Sequence, residues 1–202
     1  MNTGRKSPFR APSPAPSPEG KPGSVRIIGG RWRGTRLPVA DRPGLRPTSD
    51  RVRETLFNWL QPQLPGARVL DLFAGSGALG LEALSRGAAF AQLVEADAGL
   101  ALNLKELGSR LDAGSQLDVH AGDALAWLRG AEADVFDIAF VDPPFDAELW
   151  DAVLALLPAR MAAQAWIYLE APTASAPVLP GDWVLHRESH TQDVRYALYR
   201  RR

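Results

Sequence analysis

From residue 68 onward, short apolar runs alternate with longer stretches whose apolar residues recur at helical spacing. The runs are Arg68–Phe73, Ala91–Glu95, Gln116–His120, Phe136–Val141 and Ala165–Glu170, each near-continuously apolar as a strand buried on both faces would be. Between them, helices are predicted over Ala78–Arg86, Ala98–Arg110, Ala124–Arg129 and Ala147–Leu157. Strand–helix alternation at these lengths gives βαβ units and a parallel sheet covered by helices on both sides. The chain ends differently. Trp183–Glu188 and Val194–Arg200 are strand-like with no helix between them, so an antiparallel hairpin is expected to close the sheet, turning at Thr191-Gln192-Asp193.

Ahead of this region, Val25–Val39 reads as a hairpin, with Val25-Arg26-Ile27-Ile28, a Gly29-Gly30 turn, and a second arm from Arg31 to Leu37. A Pro/Gly loop spans Asp41–Pro47. The helix after it takes Thr48 or Asp50 as N-cap and sets Val52, Leu56, Phe57 and Leu60 on one face, with Arg51, Arg53 and Glu54 on others. Residues 1–24 hold six prolines and almost no large apolar side chains, so a disordered tail with polyproline II character from Ala11 to Pro18 is expected. Three segments follow: a tail (1–24), a basic hairpin and helix (25–60), and an α/β domain (61–202).

Charge sharpens that division. Net charge is zero, yet residues 1–60 carry 12 Lys/Arg against 4 Asp/Glu while residues 61–202 carry 11 against 19. A basic third on an acidic body suits a polyanionic partner. No apolar stretch is long enough to span a bilayer and no hydrophobic signal core opens the chain, so a cytoplasmic protein without membrane contact is expected. There are no cysteines, and His120, His186 and His190 lack ligand spacing, so no metal is expected.

Two stretches carry chemistry. In the first, from Val69 through Asp71, Phe73, Ala74, Gly75 and Gly77 to Gly80, a strand passes through a glycine turn into a helix, a geometry that brings backbone amides to a ligand. Gly75, Gly77 and Gly80 also satisfy the dinucleotide pattern, with Glu95 20 residues beyond Gly75, so a nicotinamide enzyme is a competing reading. Asp71 favours a ligand bearing an ammonium and a sulfonium over a pyrophosphate. Glu95 suits ribose hydroxyls in either case, and Asp123-Ala124 after the third strand suits an adenine amino group. Each of these acids would otherwise be a helix cap.

The second stretch is Asp142-Pro143-Pro144-Phe145 at the end of the fourth run. Two prolines end the ladder and remove two donors, so an acidic side chain, a bare carbonyl and an aromatic ring converge. That set fits a planar exocyclic amine whose two hydrogens are accepted by Asp142 and the Pro143 carbonyl while Phe145 stacks on its ring. Accepting both hydrogens returns electron density to the nitrogen for in-line attack on a methyl carbon. The otherwise plain alternative is a strand-ending turn with a packed Phe.

Beyond these two stretches, Arg26–Gly34, Leu45–Leu60 and Asp71–Gly87, together with Asp142–Phe145, resemble the RsmD family, bacterial methyltransferases of small-subunit ribosomal RNA, over the length from Val25 to the C-terminus. The resemblance implies a Rossmann-like, mainly parallel seven-stranded sheet with an antiparallel C-terminal hairpin and an N-terminal β-hairpin. It further implies S-adenosylmethionine as donor, a guanine N2 amine as acceptor, and rRNA in an assembled or partly assembled 30S subunit as partner. On this reading the protein is a monomer, and Arg26, Arg31, Arg33, Arg36, Arg46, Arg51 and Arg53 hold phosphates. Trp32 stacks on a base or packs on the core. Adenine N6 and protein glutamine remain alternative acceptors, disfavoured by Asp142 in place of Asn and Phe145 in place of Tyr.

Overall fold

The computed structural model describes residues 23–39, 49–130, 135–175 and 177–202. Seven strands form one sheet: β3 (Arg68–Asp71), β4 (Phe90–Glu95), β5 (Leu117–Ala121), β6 (Phe136–Val141), β7 (Met161–Pro172), β8 (Trp183–His190) and β9 (Val194–Arg201), in spatial order β5-β4-β3-β6-β7-β9-β8. The first five are parallel, while β9 runs antiparallel to β7 and β8 antiparallel to β9. This is the parallel sheet with an antiparallel C-terminal hairpin that the periodicity predicts, in the Rossmann-like form that the resemblance implies. Its turn forms without glycine: Thr191 donates its N–H to the Val194 carbonyl, and its Oγ1 accepts from Val194 N–H.

Side-chain alternation divides the core in two. Val69, Leu93, Val119, Phe140, Tyr168 and Leu198 point to one face, where α1 (Asp50–Leu60), α2 (Ala78–Ser85) and α3 (Ala98–Arg110) cover them. On the other face Leu70, Val94, Ala139, Val141, Ile167 and Leu169 meet α4 (Ala124–Arg129) and α5 (Trp150–Leu156). The chain moves outward from β3 in both directions, so β3 and β6 flank the switch point where α/β sheets open a crevice at their carboxyl ends.

Three expectations change. The anticipated two-residue hairpin turn is instead a nine-residue loop, 27–35, between a short β1 (Ser24–Arg26) and β2 (Arg36–Pro38). The Gly29-Gly30 segment docks on α2, as described below, and does not reverse the chain. The N-cap of α1 is Ser49, whose Oγ accepts from Val52 N–H. Asp50 begins the helix, and Thr48 lies outside the described residues. Arg53, expected at the surface, is fully buried. At the edges, β7 is twice the length of its apolar run, and α5 is shortened by 3-10 turns at 145–147 and 157–160. The tail expectation falls on residues outside the described ones, apart from Gly23 and Ser24, the latter already paired in β1.

Candidate functional site

The turn after β3 is shaped from below by Asp71. Its Oδ2 accepts from Gly80 N–H at 3.0 Å, inside the first turn of α2, and its carboxylate also takes the Phe73 amide. With only 3% of its surface exposed, burial, with a smaller push from nearby Glu95, raises this carboxyl to about 7 against the two backbone bonds. Gly75 and Gly77 hold φ of +52° and +76°, where a side chain would be strained. A Cβ on Gly75 would meet nothing nearer than the Phe73 carbonyl oxygen at 3.9 Å, whereas one on Gly77 would strike Leu104 and Leu81, and one on Gly80 would strike Leu93. The first glycine therefore faces the crevice, and the other two let α2 seat against α3 and β4.

Glu95 ends β4 and bridges two segments. Its Oε2 accepts from Gly75 N–H and its Oε1 from Asp97 N–H, both at 2.8 Å. Asp123, exposed, caps α4 through Ala126 N–H at 2.8 Å, and Ala124 behind it is buried. All three acids thus organise backbone at successive strand ends. Each oxygen so engaged retains a lone pair, so Glu95 and Asp123 can also accept from a ligand's hydroxyls or amino group. Asp71 lies buried under the loop, engaged with its backbone. The residues fit a cofactor with a cationic centre, a ribose and an adenine. Phe73 and Ala74 complete the turn, with Ala74 N–H bonded to the Val94 carbonyl on β4.

Asp142-Pro143-Pro144-Phe145 stands on the neighbouring strand, since Asp71 pairs with Phe140 two residues before it. Asp142 is partly exposed, Pro143 buried, and Pro144 exposed with its carbonyl taken by Ala147 N–H. Phe145 leaves 38% of its surface open and leans on Trp150, centroids 5.9 Å apart. An acidic side chain and an open aromatic face at the mouth of a glycine-loop crevice are what a planar amine needs.

The basic loop 27–35 is carried by α2. Glu82, fully buried, accepts from Ile28 N–H at 2.6 Å, Gly29 N–H at 2.8 Å and Arg86 Nε at 2.6 Å, with Arg53 Nη1 at 3.6 Å. Ser85 donates its hydroxyl to the Gly29 carbonyl and accepts from Trp32 N–H, while its carbonyl takes Arg31 N–H. A Cβ on Gly30 would fall 1.7 Å from that carbonyl, so only glycine fits. Arg26, Arg31, Arg33, Arg36 and Arg51 are exposed on or beside this loop. Arg26 faces Asp50 at 3.6 Å, and Arg31 lies 4.1 Å over Trp32 while bonding Gln116. Trp32 packs against the core beneath. Arg53 is withdrawn from the exposed arginines: it bonds the Arg26 carbonyl and Asp50, both at 2.7 Å, and anchors β1 to α1. Arg46 lies outside the described residues.

Sequence reasoning passes over Glu82 and Ser85, and also Tyr168 and Glu170. Tyr168 and Glu170 share a face of β7, and Tyr168 Oη donates to Glu170 Oε1 at 2.6 Å. Their alternation at a strand end was the available signal.

A family model described as Conserved hypothetical protein 95 matches residues 25–200. Ribosomal RNA small subunit methyltransferase D of Escherichia coli is 48% identical over 182 residues, covering 89% of this chain and 91% of that protein. The Haemophilus influenzae protein of the same name is 42% identical, covering 88% and 94%. Among solved structures, yhhF from Escherichia coli superposes with a TM-score of 0.80 at 46% identity, over 89% of this chain and 98% of the other.

Proposed function

The chain belongs to this family, and on that premise we propose that it transfers a methyl group from S-adenosylmethionine to the exocyclic N2 amine of a guanine in small-subunit rRNA, acting as a monomer in the cytoplasm on an assembled or partly assembled 30S subunit. The observation that carries the reading is the placement of Asp142–Phe145 beside the glycine loop, on paired strands β3 and β6.

S-adenosylmethionine supplies an electrophilic methyl on a sulfonium. Around it, Glu95 and Asp123 would hold ribose and adenine, the Gly75–Gly77 turn would let backbone approach, and Asp71 would lower the cost of bringing a cation into the crevice. The target guanine leaves its stack to reach the site, and Phe145 offers the surface that replaces it. Asp142 and the Pro143 carbonyl accept the two N2 hydrogens, which localises the nitrogen lone pair and aims it. After transfer the amine would give up a proton, and Asp142, partly exposed, would pass it to solvent. The exposed arginines and the 27–35 loop supply the phosphate contacts.

The test offers labelled S-adenosylmethionine and protein to subunits and to free rRNA lacking the modification, then maps the label. Guanine N2 should carry it, and Asp142→Ala should abolish transfer while calorimetric cofactor affinity changes only several-fold. Label on adenine or on protein refutes the reading.

A further inference from the structure

The sheet places a second carboxylate beside Asp142. Strands β6 and β7 run parallel with Phe140 opposite Tyr168 and Val141 opposite Leu169, so one more step sets Asp142 abreast of Glu170. Alternation points both to the face covered by α1. Glu170 is 5% exposed and held from several sides: Tyr168 Oη donates to its Oε1, Trp150 Nε1 donates to its carbonyl at 2.8 Å, and Tyr196 lies opposite on β9. Burial first, then the charge and hydrogen bond of Glu170, and then the charge of Asp142 push the Tyr168 phenol well above its ordinary range. The phenol therefore stays a donor, and Asp142 is near enough for its charge to be felt there.

An amine acceptor alone does not need this second acid, because Asp142 and the Pro143 carbonyl already account for both N2 hydrogens. Guanine has a further donor on the same edge, N1–H, directly beside N2. As N2 pyramidalises on attack, its hydrogens leave the ring plane while N1–H stays in it, so one carboxylate cannot follow both. Resting on the guanine reading above, we infer that Glu170 is the specificity-determining residue of the site, its carboxylate accepting guanine N1–H while Asp142 accepts from N2. An adenine in the same pose presents a lone pair at N1, which a buried carboxylate repels. Sites built to bond a substrate N–H discriminate strongly against analogues lacking it.

The experiment uses the full-length protein and rRNA carrying guanine or 2-aminopurine at the mapped position. 2-Aminopurine keeps the N2 amine but has a lone pair at N1. Wild-type protein should turn over guanine about 10⁴-fold better by kcat/KM. In Glu170→Gln the amide still accepts from Tyr168 and its NH2 can donate to a bare N1, so the ratio should narrow by about 10-fold or more while cofactor affinity holds. A purely structural Glu170 would slow both substrates equally, and an unchanged ratio overturns the inference. So does equal turnover of both bases by the wild type, a comparison that needs no variant. Methylation of guanine N2 with an unaltered ratio sinks this inference alone, whereas no transfer to guanine by the wild type sinks the underlying reading too.

Discussion

Glu82→Gln isolates what holds the basic loop to the α/β body. Glu82 is fully buried and takes three donors, two loop amides and Arg86 Nε, with the Arg53 guanidinium ion-paired to it at 3.6 Å. A glutamine keeps one acceptor oxygen and turns an NH2 group toward donors. Breaking a buried pair this way costs about 3–5 kcal/mol, much of it the charge left behind. Here the lower end applies, because Arg53 retains Asp50 at 2.7 Å and the Arg26 carbonyl. About 3 kcal/mol in a domain of this size lowers Tm by roughly 6–12 °C. Urea denaturation followed by tryptophan fluorescence measures the global loss, and hydrogen exchange at Ile28 and Gly29 reports the two amides directly. Adding Arg53→Met should recover part of the loss, since the buried cation goes as well. A change below about 1 kcal/mol with unaltered protection of those amides would refute the idea that Glu82 is the anchor.

Further outcomes follow from the site. The Asp71 carboxyl is raised from 3.8 to about 7 chiefly by burial, so the folded state binds its proton more tightly than the unfolded state. The stabilisation is full below about pH 4 and lost as pH rises through 7, by up to about 4 kcal/mol at 1.36 kcal/mol per unit. Asp71→Asn should flatten that part of the stability profile in denaturant titrations; an unchanged slope contradicts the assignment. Reversing Arg31 and Arg33 to Glu should weaken RNA binding and reduce the salt slope of log K by about 0.7 for each phosphate no longer neutralised, and a constant slope means neither touches phosphate. Phe145→Ala should lower kcat/KM on RNA by about 5- to 150-fold, the worth of one stacked base, with cofactor affinity preserved in calorimetry.

The sheet and both chemical stretches were legible because they rest on local signals: apolar runs, glycine spacing, paired prolines at a strand end. The docking of the basic loop was not, because its partners lie more than 50 residues away on α2. Gly29-Gly30 suits a tight turn and equally suits close contact with the Ser85 carbonyl, and only the tertiary partner decides. Arg53 shows the opposite failure. Positions 53, 56, 57 and 60 have apolar-face spacing, so its burial was readable, but its charge argued for solvent in the absence of Glu82 beneath it. Glu170 escaped notice as the polar end of an apolar run, its meaning set by the register with β6.

Helix α2 is a ruler. Its first turn closes the glycine loop, and Glu82 and Ser85, less than two turns later, carry the basic loop, so eight residues, about 12 Å, set the separation between the glycine-loop site and the basic loop. Inserting a single residue after Gly80 would swing that mount by about 100° and carry it about 1.5 Å along the axis. Either surface can be altered residue by residue, yet a change of length between them would turn the basic loop away from the glycine-loop site.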